Sequence, residues 1–173
     1  MTCFDGLALR PAHISEIELV REIERASAQR FVGTDRVALA DDEPTDAETL
    51  ARRVGEGGLL VASETGAPVA FVMFREVEAC GYIEQIDVLP AHAGRRIGAA
   101  LIDAVADEGR QRGWTTLTLS TFKDVPWNAP YYRRLGFVDI AEAALTPGLL
   151  AIREAHLARG LDESSRVFLR RAL

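Results

Sequence analysis

Tyr82-Ile83-Glu84-Gln85-Ile86-Asp87-Val88-Leu89-Pro90, followed closely by Ala93-Gly94-Arg95-Arg96-Ile97-Gly98-Ala99, is the stretch on which the fold turns. The first part reads as a strand stopped by Pro90. The second is nearly bare of side chains and leads into Ile97, Leu101, Ile102 and Val105, which recur at helical spacing. A strand feeding a glycine- and arginine-bearing turn and then a helix is a geometry that grips phosphate. The helix N-terminus offers unpaired backbone N–H groups and a partial positive charge. Glycine lets an anion approach them, and Arg95 and Arg96 add charge. The segment is neither G-x-G-x-x-G nor G-x-x-x-x-G-K-[ST], because only Gly94 and Gly98 fit any spacing and no Lys-Ser/Thr pair follows Gly98. Alone, it reads equally as an ordinary connection with solvated arginines.

Further on, Asn128-Ala129-Pro130-Tyr131-Tyr132-Arg133-Arg134-Leu135-Gly136-Phe137 sets an amide and two phenols on one short helix, with Gly136 placed for a left-handed C-terminal cap. On the N-terminal side, residues 7–9 predict a short strand stopped by Pro11. Ile14, Ile17, Val20, Ile23 and Ala26 predict an amphipathic helix to about Arg30. Thr45 with Glu48 has the spacing of a capping box for a second helix through Arg53. Residues 59–62 predict a strand, Glu64-Thr65-Gly66-Ala67 a tight turn and residues 68–77 the returning strand, with Gly81 separating it from 82–89. Beyond the main helix, residues 115–122 and 137–140 predict strands. Thr146, Pro147 and Gly160 bracket a helix, and residues 166–169 predict a last strand. The order is β-α-α-β-β-β-α-β-α-β-α-β, with no repeat or linker, and predicts one mixed α/β domain over residues 1–173.

The bulk composition narrows the classes. The chain has 173 residues, 48% of them hydrophobic and 27% charged, with a formal charge of −6. That charge argues against a nucleic-acid binder and against an anionic membrane surface. Cys3 and Cys80 make no disulfide framework, no run approaches the ~20 apolar residues of a membrane span, and the first residues lack a signal pattern. These features predict a cytoplasmic protein with reduced thiols, and the Ala/Arg richness suggests a bacterial source.

Taken together, the two segments resemble the GNAT superfamily of acyl-CoA N-acyltransferases. Its phosphate motif, [Q/R]-x-x-G-x-[G/A], follows a strand ending in V-x-P, as Val88-Leu89-Pro90 does here. Ala93 stands where Gln or Arg is usual, and Arg96 where the first Gly is usual. Ile97-Gly98-Ala99 supplies the end of the motif, and Gly94 matches a glycine that many members carry. The family's N-x-x-x-Y-x-x-x-G-F pattern is met without a gap by Asn128, Tyr132, Gly136 and Phe137. The order of elements also agrees over nearly the whole chain. The resemblance implies a central, mostly antiparallel, splayed sheet of about seven strands flanked by helices, and an acetyl-CoA-dependent N-acetyltransferase.

Residue roles follow from that resemblance. The main chain around Ile86, Asp87 and Val88 would pair with the pantetheine arm and polarise the thioester carbonyl. Ala93, Gly94, Arg95, Arg96, Ile97, Gly98 and Ala99 would hold the pyrophosphate. Asn128 would bond the pantetheine amide or a water, or else cap its helix. Tyr132 would protonate the departing thiolate, since a phenol with reference pKa ~10 is protonated at neutral pH, or else pack in the core. Glu84 shares strand parity with Tyr82, Ile86 and Val88 and would take the proton of the acceptor ammonium, or else sit as a salt-bridged strand residue. His92 could touch the cofactor, whereas His13 and His156 read as surface or capping residues. Asp41, Asp42, Glu43 and Asp46 read as a solvated loop or an acidic lip, and no cluster has metal-ligand spacing. The acceptor would be a small-molecule or peptide amine, and a homodimer is common among relatives. A non-catalytic acyl-CoA-binding or sensing module is the rival reading; it would bind CoA without turnover.

Overall fold

The apolar runs on either side of residue 65 are joined by Thr65 and Gly66, which take φ of 50° and 93° in the computed structural model of the chain. That pair of positive angles supplies the twist a two-residue hairpin needs. The structure describes residues 2–173; the side chains of Thr2 and Cys3 lie outside the described part, and with them the thiol expectation for Cys3. The strands are β1 (Thr2–Phe4), β2 (Leu7–Pro11), β3 (Leu59–Glu64), β4 (Ala67–Val77), β5 (Cys80–Val88), β6 (Thr116–Phe122), β7 (Val138–Asp139) and β8 (Arg166–Ala172). The helices are α1 (Ile17–Ala28), α2 (Ala47–Gly55), α3 (Ile97–Gln111), α4 (Ala129–Arg134) and α5 (Pro147–Ala158).

Hydrogen bonding orders the strands β1-β2-β3-β4-β5-β6-β8-β7. β5 runs parallel to β6, while β1/β2, β2/β3, β3/β4, β6/β8 and β7/β8 are antiparallel. This is the mixed, mostly antiparallel sheet that the family resemblance implies. The eighth strand is β1, a three-residue edge strand turned by Asp5 and Gly6 at φ of 47° and 76°, too short to leave a periodic signal.

Two compact units divide the chain: residues through Phe74 with Gln85–Val105, and Arg75–Glu84 with Ala106–Leu173. In the first, Ile17, Val20 and Ile23 of α1 and Leu50 of α2 bury against Leu59, Val61, Phe71 and Met73. The spacing of the α1 residues gives one helical stripe, so burial rather than propensity holds the helix. α2 departs from expectation at its start. Asp46, not Thr45, is the N-cap, its carboxylate accepting from the Thr49 N–H at 2.8 Å. Thr45 instead turns back, its N–H and hydroxyl donating to Glu24 at 3.1 and 3.2 Å.

In the second unit, Tyr82, Leu149, Ile152 and Phe168 form a core cluster that joins β5, α5 and β8. The turn between β4 and β5 is made by Glu78 and Ala79, at φ of 52° and 60°, not by Gly81. Gly81 lies inside β5 because Trp114 packs on it; a Cβ there would sit 2.6 Å from Trp114 Cε3 and from Leu117 Cδ2. Trp114 is 4% exposed and donates Nε1–H to Glu76 at 2.8 Å. Gly81→Ala is therefore expected to cost about 1–3 kcal/mol, read as a lower urea midpoint at unchanged slope. α5 starts and stops as expected, with the Thr146 hydroxyl accepting from the Leu149 N–H and Gly160 at φ 78° past its end.

Candidate active site

The turn expected to hold phosphate, residues 93–99, lies in the first unit. β5 ends at Val88, and Leu89 donates its N–H to the Val69 carbonyl at 2.9 Å, anchoring the chain as it leaves the sheet. Pro90–His92 makes a single 3-10 turn, and the chain then enters α3 through Gly94 and Arg96, at φ of 80° and 59°. The Ala100 N–H reaches the Arg96 carbonyl at 3.1 Å, so Arg96 occupies the N-cap position and the N–H groups of Ile97, Gly98 and Ala99 precede the first helical bond.

Arg96 is the residue that stands where the phosphate motif usually has glycine, and it adopts the left-handed conformation that glycine takes without cost. The turn thus keeps its backbone path at the expense of strain. Arg96→Gly is expected to raise stability by about 0.5–1 kcal/mol, measured as an increase in the denaturation midpoint. The two arginines differ in their commitments. Arg95 bonds Asp5 and Glu64 at 3.1 Å each, and Glu64 also meets His92 Nε2 at 3.1 Å. Arg96 is exposed, and its guanidinium has no hydrogen-bond or ion-pair partner among the described residues.

Asp87 has its side chain turned into the first unit. It is 4% exposed and accepts from Ser27 Oγ in the last turn of α1, from Arg30 Nη2 just past the end of that helix, and from Gln85 Nε2. Burial pushes its carboxyl above the ordinary value, with the Arg30 charge opposing. Glu24 is likewise pushed up, by burial first and then by the Asp87 charge. The Asp87 side chain is thus bound inside the protein, which leaves its main chain for any contact with a cofactor.

The second unit holds Glu84, Asn128 and Tyr132. Pro130 near the start of α4 and Gly136 at φ 87° past its end limit the helix to Ala129–Arg134. Asn128 occupies the N-cap position, but its side chain makes no capping bond. Its carbonyl accepts the Tyr132 N–H at 3.0 Å, and the Tyr132 carbonyl accepts the Phe137 N–H at 3.1 Å across the Gly136 cap. The Tyr132 ring is 8% exposed and meets Tyr131 and Phe137 edge-on, at centroid distances of 5.6 and 5.8 Å. The backbone and two aromatic neighbours therefore fix the direction of its hydroxyl.

Glu84 follows the part of β5 that pairs with β6, Gly81 to Ile83 against Leu117 to Leu119. Its Oε1 accepts from Arg75 Nε at 2.9 Å, with side-chain exposures of 17% for Glu84 and 37% for Arg75. Arg75 is a site neighbour that sequence reading missed. A turn centred on Glu78 and Ala79 sets Arg75 across from Tyr82 and diagonal to Glu84, but a break placed at Gly81 conceals that register. His156, expected as a surface or capping residue, is half-buried in the second unit. Its Nδ1 meets Glu163 at 2.6 Å, its ring stacks on Phe168, and burial holds its pKa below the ordinary value. Burial also pushes the Cys80 thiol up, which disfavours a reactive thiolate. Among the described residues no three or more His, Cys, Asp or Glu side chains gather as a metal-ligand set. None of the helices described is long and apolar enough to cross a membrane.

The sequence pattern of the Acetyltransferase (GNAT) family matches residues 18–137, well over half of the chain. The chain belongs to the GNAT acetyltransferase family. Membership makes it an acyltransferase by class. Solved structures agree on the fold. N-acetylglutamate synthase from Neisseria gonorrhoeae, complexed with coenzyme A and N-acetyl-glutamate, superposes with a TM-score of 0.75 at 16% identity. That match covers 100% of this chain and 36% of the synthase, so the chain spans about a third of that protein. The PaiA N-acetyltransferase from Thermoplasma acidophilum, in complex with coenzyme A, gives 0.71 at 14% identity over 96% of this chain and 99% of its own. The ribosomal-protein-S18-alanine N-acetyltransferase from Escherichia coli gives 0.65 at 18% identity, covering 96% and 93%. At these identities the likeness to other GNAT proteins is one of fold.

Proposed function

We propose that residues 1–173 form a single N-acetyltransferase domain that moves an acetyl group from acetyl-CoA to a primary amine by direct attack in a ternary complex. The observation that carries this reading is the conformation of the phosphate turn. Gly94 and Arg96 both take positive φ ahead of a 15-residue helix, and Arg96 does so where a side chain makes that path costly. A backbone kept in that path turns N–H donors outward, which suits an anionic cofactor. Coenzyme A in two of the GNAT structures described above supports the choice of carrier.

In this reading the main chain of Ile86, Asp87 and Val88 bonds the pantetheine arm and polarises the thioester carbonyl. Residues 93–99 hold the pyrophosphate, with Arg95 contributing through its backbone and Arg96 through its guanidinium as well. Asn128, its side chain unspent on capping, bonds the pantetheine amide or a bridging water. Acetyl-CoA, when bound, supplies an activated acyl thioester. Glu84 accepts a proton from the acceptor ammonium, freeing the lone pair that attacks. The Tyr132 hydroxyl donates a proton to the departing sulfur. The net charge of −6 fits a cationic acceptor, a small-molecule or peptide amine, in the cytoplasm of a bacterium. An amine panel followed by release of free CoA thiol tests the reading. Acetyl-CoA-dependent turnover of at least one amine is the expected result; binding of CoA without turnover of any amine would favour a sensing module.

A further inference from the structure

Arg75 is a charged residue at the end of an apolar strand, directly after Phe74, which is fully buried. Its guanidinium is held twice. Nε donates to Glu84 Oε1 at 2.9 Å, and the guanidinium carbon lies 5.7 Å from the centroid of the Tyr82 ring. Tyr82 is 4% exposed and locked into the cluster with Leu149, Ile152 and Phe168. A line of constraint therefore runs from the core through Tyr82 and Arg75 to the Glu84 carboxylate. The pair is largely shielded on the Glu84 side, so its Coulomb attraction is less diluted by water than that of an exposed ion pair. Arginine suits this task better than lysine, because its planar fork fixes an approach direction as well as a charge and can lie over an aromatic ring.

We propose that Arg75 is a positioning residue for Glu84: it fixes the direction in which the carboxylate meets the acceptor ammonium. The proposal rests on the role given to Glu84 above. Other charges near this face are Arg166 and Glu163, whose fields reach Tyr82 along with those of Arg75 and Glu84. Loss of Arg75 leaves the Glu84 carboxylate free to turn away from the acceptor, so proton removal slows while the cofactor side is untouched.

The experiment compares wild type with Arg75→Leu, Arg75→Gln and Arg75→Lys. It follows kcat and KM for the best amine of the panel across the pH range, and KM for acetyl-CoA. Arg75→Gln keeps a hydrogen-bond donor without charge and serves if the Leu variant does not fold. The expected result is kcat lowered by about tenfold at neutral pH in Arg75→Leu and Arg75→Gln, a smaller loss in Arg75→Lys, and a deficit that shrinks as pH rises toward the amine's own pKa, as it does for Glu84→Gln. KM for acetyl-CoA stays put. In a Glu84→Gln background, removing Arg75 lowers kcat no further. Unchanged kcat in a folded Arg75→Leu or Arg75→Gln variant, while Glu84→Gln loses kcat, overturns the role of Arg75 alone. A kcat that falls in the Arg75 variants while Glu84→Gln keeps full kcat overturns the base itself, and with it the catalytic meaning of the pair.

Discussion

Tyr132→Phe is expected to lower kcat by roughly 10²-fold, the lower end of what a positioned acid contributes, with little change in KM for acetyl-CoA. The reasoning rests on how the ring is held. Phenylalanine keeps the edge-on contacts to Tyr131 and Phe137 and the backbone bond to Asn128, so the substitution removes the hydroxyl and little else. Stability should change by less than about 1 kcal/mol, which circular dichroism against denaturant can check. An acid that serves only as the sulfur departs acts in the transition state, so the loss falls on kcat rather than on binding. Steady-state kinetics with a saturating amine across the pH range gives the answer. Full kcat at every pH would remove Tyr132 from the chemistry and return it to packing.

Glu84→Gln is expected to cost a comparable factor, roughly 10²-fold in kcat, but with a different pH signature. The acceptor ammonium titrates near ~10 when it is an alkylamine. Below that pH the enzyme needs a base, whereas near it the free amine supplies its own lone pair. The deficit of the Gln variant should therefore shrink as pH rises, whereas that of Tyr132→Phe should not. Glutamine preserves shape and still accepts from Arg75 Nε, so the fold is expected to survive. A deficit that stays constant to high pH would point to a structural cause rather than to proton removal. The contrast between the two variants separates acid from base without any structure of a complex.

The parts legible in the sequence were those with local causes. The stripe of Ile17, Val20 and Ile23, the Thr146 cap and the Gly136 cap are each set by residues within a turn of one another and are found where expected, whereas Ile14, expected to begin the stripe, lies ahead of α1 and is 60% exposed. The parts that were missed depend on partners far along the chain. Thr45 has the spacing of a capping residue, but Glu24 competes for it from α1. Gly81 has the composition of a turn, but Trp114 needs its bare face, and the turn falls instead on Glu78 and Ala79, neither of which advertises positive φ. That two-residue displacement hid Arg75 as the neighbour of Glu84. The side chain of Asp87 was similarly unreadable, since Ser27 and Arg30 reach it from a distant helix. At the phosphate turn the departure of Arg96 from the family pattern looked like a weakness. The backbone there takes positive φ at Arg96, a conformation that glycine would adopt without cost.

Trp114, wedged against Gly81 and tied to Glu76, has a consequence for how this protein can be watched. The chain has two tryptophans, Trp114 and Trp127, and both belong to the unit built from Arg75–Glu84 and Ala106–Leu173. Indole emission is therefore a one-sided reporter: it follows that unit and is silent for the helices α1 and α2 and the strands β1 to β3. Far-ultraviolet ellipticity sees both. Transitions that coincide by the two probes are the mark of one cooperative fold, and a lag between them would resolve the unit that holds α1 and α2 from the unit that holds Tyr132.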